Sequence, residues 1–199
     1  MMRRWALPLL LGAVLAGVAY HIMLVQTPRL LMRFATHRIA GATGYNALYQ
    51  APLATADSRA IVRPSPDLAY SSCRFDLSDS AVLIDVAPVP APYWSLSIFD
   101  ERTDVVFVRN NIQAHGKAIR VALIAHSGEP VPPGYEPVVI KGDSGIALIR
   151  TLVDDRARFP QIDAARRASR CATEYGFVQA SALPKRNRLA CSRHCSRVM

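Results

Sequence analysis

The chain has 199 residues, of which 51% are hydrophobic, and a formal net charge of +9 at pH 7. That length allows one compact domain beside a membrane anchor. The charge is uneven, since residues 1–59 carry +5, residues 60–155 carry −4 and residues 156–199 carry +8. A nucleic-acid-binding domain carries a basic stripe across its folded body, so the acidic centre argues against a nucleic-acid partner.

The first predicted element is an apolar segment, residues 5–25, that contains no charged side chain. A helix of 21 residues spans about 30 Å, the thickness of the hydrocarbon core of a bilayer. We therefore predict a membrane anchor over residues 1–27. A cleaved signal peptide is the alternative, because Gly17 and Ala19 suit cleavage after Ala19. The apolar run continues beyond that point, which favours an uncleaved anchor.

Basic residues lie at both ends of this segment. Arg3 and Arg4 favour a cytoplasmic N terminus, whereas Arg29, Arg33 and Arg38 favour the opposite orientation. The excess of 21 arginines over 3 lysines indicates a GC-rich bacterial genome. We predict a single-pass inner-membrane protein whose body lies in the periplasm.

Residues 28–59 are predicted to form a juxtamembrane helix and a linker. Apolar side chains recur at three-to-four-residue spacing over residues 28–42, and Pro28 suits a first helical turn. Residues 43–66 lack any period and contain one glycine and three prolines, as is typical of a linker and a loop.

A β-rich domain is predicted over residues 60–175. Six runs rich in valine, isoleucine and aromatic residues are predicted strands: 81–87, 93–99, 104–109, 118–125, 137–141 and 146–153. Within the second run, Trp94, Leu96 and Ile98 alternate with Ser95 and Ser97, which predicts a half-buried antiparallel strand. The predicted fold is mainly β, with one N-terminal transmembrane helix followed by a small antiparallel β-sandwich or partial barrel with flanking helices.

The end of the chain is predicted to form a helix and a tail. Asp154 and Asp155 begin the helix, Pro160 lies near its first turn, and Gly176 can end it. Residues 176–199 are predicted to be a basic, disordered tail that is either solvated or in contact with anionic lipid. The tail contains Cys191, His194 and Cys195, fewer than the four ligands of a zinc site. No metal and no cofactor are therefore assigned.

The segment Gly142-Asp143-Ser144-Gly145 spells the nucleophile motif of trypsin-like proteases. Those enzymes hold their histidine, aspartate and serine across two barrels, and a second barrel is not predicted here. We interpret the segment as a tight turn between two strands.

Cys73 and Cys171 are candidates for a disulfide, which an oxidising periplasm permits. A bridge would close a loop of 98 residues and contribute about 4–5 kcal/mol in the chain-entropy model. Two separate buried thiols are the alternative.

The segment 63–78 combines rigid prolines, opposite charges and hydroxyl groups. An ion pair between Arg63 and Asp67, completed by the hydroxyl of Tyr70, would form a polar pocket rim. The predicted ligand-binding residues are Arg63, Asp67, Tyr70, Ser71 and Tyr93. An ordered loop that leads into the first strand is the alternative.

The same segment resembles the N-terminal domain of the family named domain of unknown function 1254. The residues that carry the resemblance are Arg63, Pro64, Asp67, Tyr70, Ser71, Asp76, Leu77, Tyr93, Trp94, Ser95, Phe99, Asp100 and Thr103. It covers residues 60–153 and is strongest to the short, membrane-anchored proteobacterial members. The resemblance implies a β-rich envelope domain without an established reaction. The second domain of the long members is missing here, so the resemblance does not imply an activity that needs both domains.

Three function hypotheses follow, of which the weakest is a membrane-surface protein that uses its basic tail. The leading hypothesis is an envelope binding or assembly module at the inner membrane. It would recognise an envelope ligand or a partner, such as a separately encoded protein that resembles the missing second domain. The alternative is a hydrolase or lyase that acts on an envelope glycan, with carboxylates from Asp67, Asp76 and Asp100. Such an enzyme needs two of these carboxylates within about 10 Å of each other.

Overall fold

The computed structural model describes residues 3–40, 43–55, 57–58, 63–174 and 176. Helix α1, Arg3–Ala40, is 38 residues long and continues through Pro8 and Pro28. It is long and apolar enough to cross a membrane. Residues 28–40, which belong to the predicted juxtamembrane helix, are helical and continue α1 without a break at Pro28. A proline inside a helix removes one backbone hydrogen bond, but the helical residues on both sides keep α1 continuous here.

The described part of the chain then contains nine strands and a short helix. The strands are β1 (Ala47–Gln50), β2 (Leu68–Asp76), β3 (Val82–Val86), β4 (Trp94–Asp100), β5 (Val105–Asn110), β6 (Ile119–Ile124), β7 (Glu136–Val139), β8 (Ser144–Leu152) and β9 (Arg170–Thr173). Between β8 and β9, a 3₁₀ turn at Arg156–Arg158 leads into helix α2, Phe159–Arg166.

The strands form two sheets that enclose one core. The first sheet has the antiparallel order β1-β2-β8-β4-β5, and the second has the order β7-β6-β3-β9. Phe75, Leu96 and Ile149 from the first sheet share the core with Ile84 and Leu123 from the second. The prediction of a mainly β fold behind an apolar helix is confirmed, and within the described residues the sheets do not close into a barrel. One pair departs from the antiparallel prediction, because β6 and β7 run parallel.

Three strands were missed from the sequence. β1 lies in the predicted linker, and β2 lies in the segment read as a loop. β2 buries Ala69, Ser71 and Cys73, which are small or polar, so its alternation is not visible as hydrophobicity. β9 occupies residues predicted as helix, because α2 ends at Arg166 and the chain turns to pair with β3.

Strand β4 is more deeply buried than predicted. Trp94, Leu96 and Ile98 lie in the core as expected, but Ser95 and Ser97 on the other face are only 0% and 1% exposed. β4 lies inside the sheet, between β8 and β5, and the long side chain of Arg150 in β8 contacts Ser97 on this face.

A disulfide joins Cys73 in β2 to Cys171 in β9, with Cα atoms 6.4 Å apart. It therefore links the two sheets across the core. The sequence placed Cys73 before the sheet and Cys171 at a helix end. Both positions were wrong, because each cysteine lies within a strand.

Candidate functional site

The predicted ligand-binding residues lie around one end of the first sheet, where β2 begins and β8 ends. Arg63 and Arg156 line a shallow pocket of about 370 Å³ there. The backbone N–H of Ser65 donates to the hydroxyl of Tyr70 at 3.2 Å, which ties the loop to β2. Within the described residues Arg63 and Asp67 form no ion pair with each other, and Asp67 is exposed.

Tyr70 and Ser71 are neighbours in β2 and therefore lie on opposite faces of the sheet. Ser71 is 2% exposed on the core side, where its hydroxyl donates to Gln50. Tyr70 lies on the outward side, opposite Arg150 in β8. Tyr93, which is 36% exposed, directly precedes β4. The structure thus brings Tyr70 and Tyr93 to one end of the sheet and separates Ser71 from them. Their role in ligand binding stays a prediction.

The three predicted carboxylates do not form one group. Asp67 directly precedes β2 and Asp76 ends it; since β2 has nine residues, their backbones are about 30 Å apart. Asp76 pairs in register with Ser144, and Asp100 with Gly145, so the two side chains lie on opposite faces.

The carboxylates of Asp76 and Asp100 instead stabilise turns. The Oδ1 atom of Asp100 accepts from the backbone N–H groups of Arg102 and Asp104, at 2.8 and 3.0 Å. The Oδ1 atom of Asp76 accepts from the N–H of Ser78 at 2.9 Å. The paired acid and base that the glycosidase alternative requires are therefore not found at these positions.

Sequence reasoning missed Arg166, which is 1% exposed. Its guanidinium donates to Asp163 Oδ1 at 2.7 Å and to the carbonyl oxygens of Tyr70 and Ala51 at 2.9 and 2.6 Å. Arg166 thereby fastens α2 to β2 and to the residue after β1. The available signal was the helical spacing of Asp163, Arg166 and Arg167.

Asp163 binds both neighbouring arginines, since Arg167 Nε donates to its Oδ2 atom at 2.6 Å. Burial alone raises the pKa of Asp163. The hydrogen bonds from Arg167 and Arg166, together with their positive charges, outweigh that effect and lower the pKa below its usual value. The carboxylate is therefore held in its ionised form.

The outward side of the first sheet carries a mixed polar and apolar surface. We call it the outer face and define it by Tyr70, Ser95, Ser97, Val108, Leu148 and Arg150. Arg150 donates to Ser97 Oγ at 3.1 Å. Within the described residues, Arg150 Nε and Ser95 Oγ are buried and make no hydrogen bond. Val108, at the edge of the face, is 52% exposed.

A second concave region, the helix–sheet pocket, lies between α1 and the other end of the first sheet and has a volume of about 440 Å³. Its helix wall contains Arg29, Arg33 and His37, and its sheet wall contains Asp76, Glu101 and Asp143. Arg29 Nε lies 3.3 Å from Glu101 Oε1.

Arg74 also lines the helix–sheet pocket, and its guanidinium lies over the ring of Tyr45, 3.6 Å from the centroid. Burial lowers the pKa of Arg74, and the nearby charge of Asp76 acts against that change. An arginine stays protonated at neutral pH even so.

The turn before β8 explains the protease-like segment. Gly142 has φ of +93°, a conformation that favours glycine. A Cβ atom on Gly145 would lie 2.1 Å from the carbonyl oxygen of Phe99 and 2.5 Å from the ring of Phe75. The two glycines therefore serve a tight turn and a close strand contact, and the segment borders the helix–sheet pocket.

One solved structure shows the same fold. The VPA0106 protein of Vibrio parahaemolyticus has a TM-score of 0.61 at 12% identity, with 76% of this chain and 36% of that chain covered. An uncharacterised protein from Burkholderia cenocepacia has a TM-score of 0.43 at 16% identity, with 77% and 41% covered. The chain thus spans well under half the length of both solved proteins.

Comparisons of the sequence show the family. None of the curated proteins matches the chain. The family described as "Protein of unknown function (DUF1254)" matches residues 45–173, which include all nine strands that the structure describes. The chain therefore belongs to the DUF1254 family.

Proposed function

We propose that this protein is a single-pass inner-membrane protein that holds its β-sandwich in the periplasm as a binding or assembly module. The outer face is its docking surface, and the partner is a separately encoded envelope protein. The module itself binds no nucleic acid.

Two features support the periplasmic, tethered placement. Helix α1 is long and apolar enough to span a bilayer. The link between Cys73 and Cys171 suits an oxidising compartment, because the cytosol keeps such thiols reduced. Together they favour a body held outside the inner membrane.

The observation that carries the docking proposal is the exposed apolar margin of the outer face. Val108 and Val105 in edge strand β5 are 52% and 56% exposed, and Ile112, just beyond that strand, is 72% exposed. Apolar side chains gathered on one exposed edge are a common mark of a protein interface. An edge strand also offers unpaired backbone groups to a partner.

The centre of the outer face supplies polar groups suited to a protein partner. Arginine and tyrosine dominate the energetics of many interfaces, and here Arg150 lies beside Tyr70. A carboxylate on the partner would complement the positive charge of Arg150.

The test compares two valines on the two sheets. Val108→Glu places a charge on the outer face, and Val139→Glu places one on β7 of the other sheet, where Val139 is 46% exposed. Both variants should stay folded, because both sites are exposed. We expect affinity capture from detergent-solubilised membranes to lose one specific protein with Val108→Glu and to keep it with Val139→Glu. Equal capture by both variants would contradict the docking surface.

A further inference from the structure

We propose that the helix–sheet pocket binds the head group of a zwitterionic membrane phospholipid that carries a primary ammonium group, as phosphatidylethanolamine does. The inference rests on the membrane-tethered placement of α1 and does not depend on the outer face. The pocket volume of about 440 Å³ is that of a typical small-molecule site.

The first argument is depth. The apolar run of α1 ends at residue 25, so Arg29 and Arg33 follow about 6 and 12 Å farther along the helix axis. The head-group layer occupies roughly the first 5–8 Å beyond the hydrocarbon core. A long arginine side chain can reach back toward that layer. The mouth of the pocket therefore lies beside lipid head groups.

The second argument is the separation of charge across the pocket. Its helix wall carries Arg29, Arg33 and His37, and its sheet wall carries three carboxylates beside the single arginine Arg74, so a purely anionic ligand would meet three carboxylates as well as the arginines. A ligand with a phosphate at one end and an ammonium at the other satisfies both walls. This pattern favours a zwitterionic head group over an anionic one.

The third argument concerns the charged side chains of the pocket that form no ion pair. Arg29 and Glu101 already face each other at 3.3 Å. Within the described residues, Arg33 and Asp143 form no ion pair, and both line the pocket. A guanidinium forks onto a phosphate, and a carboxylate accepts hydrogen bonds from an ammonium. We therefore assign the phosphate to Arg33 and the ammonium to Asp143.

We propose a primary ammonium and not a trimethylammonium because the carboxylate of Asp143 can accept hydrogen bonds. Asp143 can accept N–H hydrogen bonds from ethanolamine, whereas the trimethylammonium of choline has no N–H to donate. Hydrogen bonds between charged groups are each worth about 1.5–3 kcal/mol. The pocket should therefore prefer the ethanolamine lipid over the choline lipid by about tenfold or more.

The experiment is native mass spectrometry on the full-length protein in detergent. The protein is first delipidated and then incubated with equal amounts of ethanolamine, glycerol and choline phospholipids that share the same acyl chains. We expect one ethanolamine lipid per chain, retained at least about tenfold more than the other two. Equal retention of the three lipids, or preference for the glycerol lipid, would overturn the proposal.

Variants locate the site. Arg33→Ala and Asp143→Asn should each reduce retention by about tenfold. Arg38→Ala, on the same helix, and Asp79→Asn, near the same end of the sheet, remove equivalent charges outside the pocket and should leave retention unchanged. Loss in all four variants, or in none, would refute the assignment.

Competition on the unmodified protein keeps the test decisive even if a variant unfolds. Soluble glycerophosphoethanolamine should displace the lipid, whereas inorganic phosphate at the same concentration should not. Displacement by phosphate alone would show a simple anion site and contradict the proposal. Because Val108→Glu should still retain the lipid, this result is independent of partner docking.

Discussion

Replacement of Arg166 by methionine tests whether the buried guanidinium holds α2 against the first sheet. The side chain of Arg166 is 1% exposed and donates to Asp163 and to two carbonyl oxygens. Arg166→Met keeps most of the volume but removes every donor. The carbonyl oxygens of Tyr70 and Ala51 then lose a charged hydrogen-bond partner inside the protein.

The expected loss can be worked from these contacts. Leaving a buried acceptor unpaired costs about 1–3 kcal/mol, and breaking a buried ion pair by removing one partner costs about 3–5 kcal/mol. Asp163 is partly exposed and keeps Arg167 at 2.6 Å, which limits the penalty on its charge. We therefore expect Arg166→Met to lower the free energy of unfolding by about 3–5 kcal/mol.

Arg167→Met is the matched control, because Arg167 binds the same carboxylate but its side chain is 57% exposed. An exposed ion pair is worth about 0–1 kcal/mol, so this variant should be nearly as stable as the wild type. Urea unfolding of both variants, followed by circular dichroism, measures the difference. Equal losses in the two variants, or a loss under about 1 kcal/mol for Arg166→Met, would refute the reasoning.

Four further predictions follow from the same structure. Trp94→Ala should lower the free energy of unfolding in urea by about 3–5 kcal/mol. Ser97→Ala removes the acceptor for Arg150 and should lower it by about 1 kcal/mol. The reverse order would show that the face assignment of β4 is wrong. The double variant Cys73→Ala/Cys171→Ala opens a loop of 98 residues. Its free energy of unfolding should fall by about 4–5 kcal/mol in the chain-entropy model. An unchanged urea midpoint would show that the bridge does not stabilise the domain. The pKa of Asp163 is lowered in the folded protein. Its contribution to stability is therefore present above the unfolded pKa of about 3.9 and is lost as the pH falls through the folded value. Asp163→Asn should weaken the loss of stability at acid pH, and an unchanged loss would contradict this. Reporter fusions at residue 60 should be active with alkaline phosphatase and dark with a cytoplasmic fluorescent protein, and a mature chain that begins at Tyr20 would disprove the anchor.

Much of the fold could be predicted because its strands carry a hydrophobic signal. The run from Trp94 to Ile98 alternates clearly, and β3, β6 and β8 are rich in valine, isoleucine and leucine. β2 has no such signal, since its buried positions include Ala69, Ser71 and Cys73. A strand whose core face consists mostly of small side chains looks like a loop in the sequence.

The candidate sites depend on contacts between distant parts of the chain, which local patterns do not contain. Prolines near Arg63 and Asp67 predicted a compact polar network, yet the structure leaves Asp67 exposed and ties the loop through Tyr70 instead. The helix–sheet pocket joins Arg33 to Asp143 across 110 positions of sequence. Only the continuation of α1 beyond Pro28 brings those two residues to one cavity.

Site-specific photo-cross-linking in intact cells tests the docking surface most directly. A photoreactive amino acid replaces Val108 on the outer face in one sample, and Val139 on the other sheet in a matched sample. The account predicts one discrete cross-linked envelope protein from position 108, lost when Arg150→Glu is added, and no such product from position 139. The same product from both positions, or none from position 108 in a folded, membrane-inserted protein, would contradict the proposed docking surface.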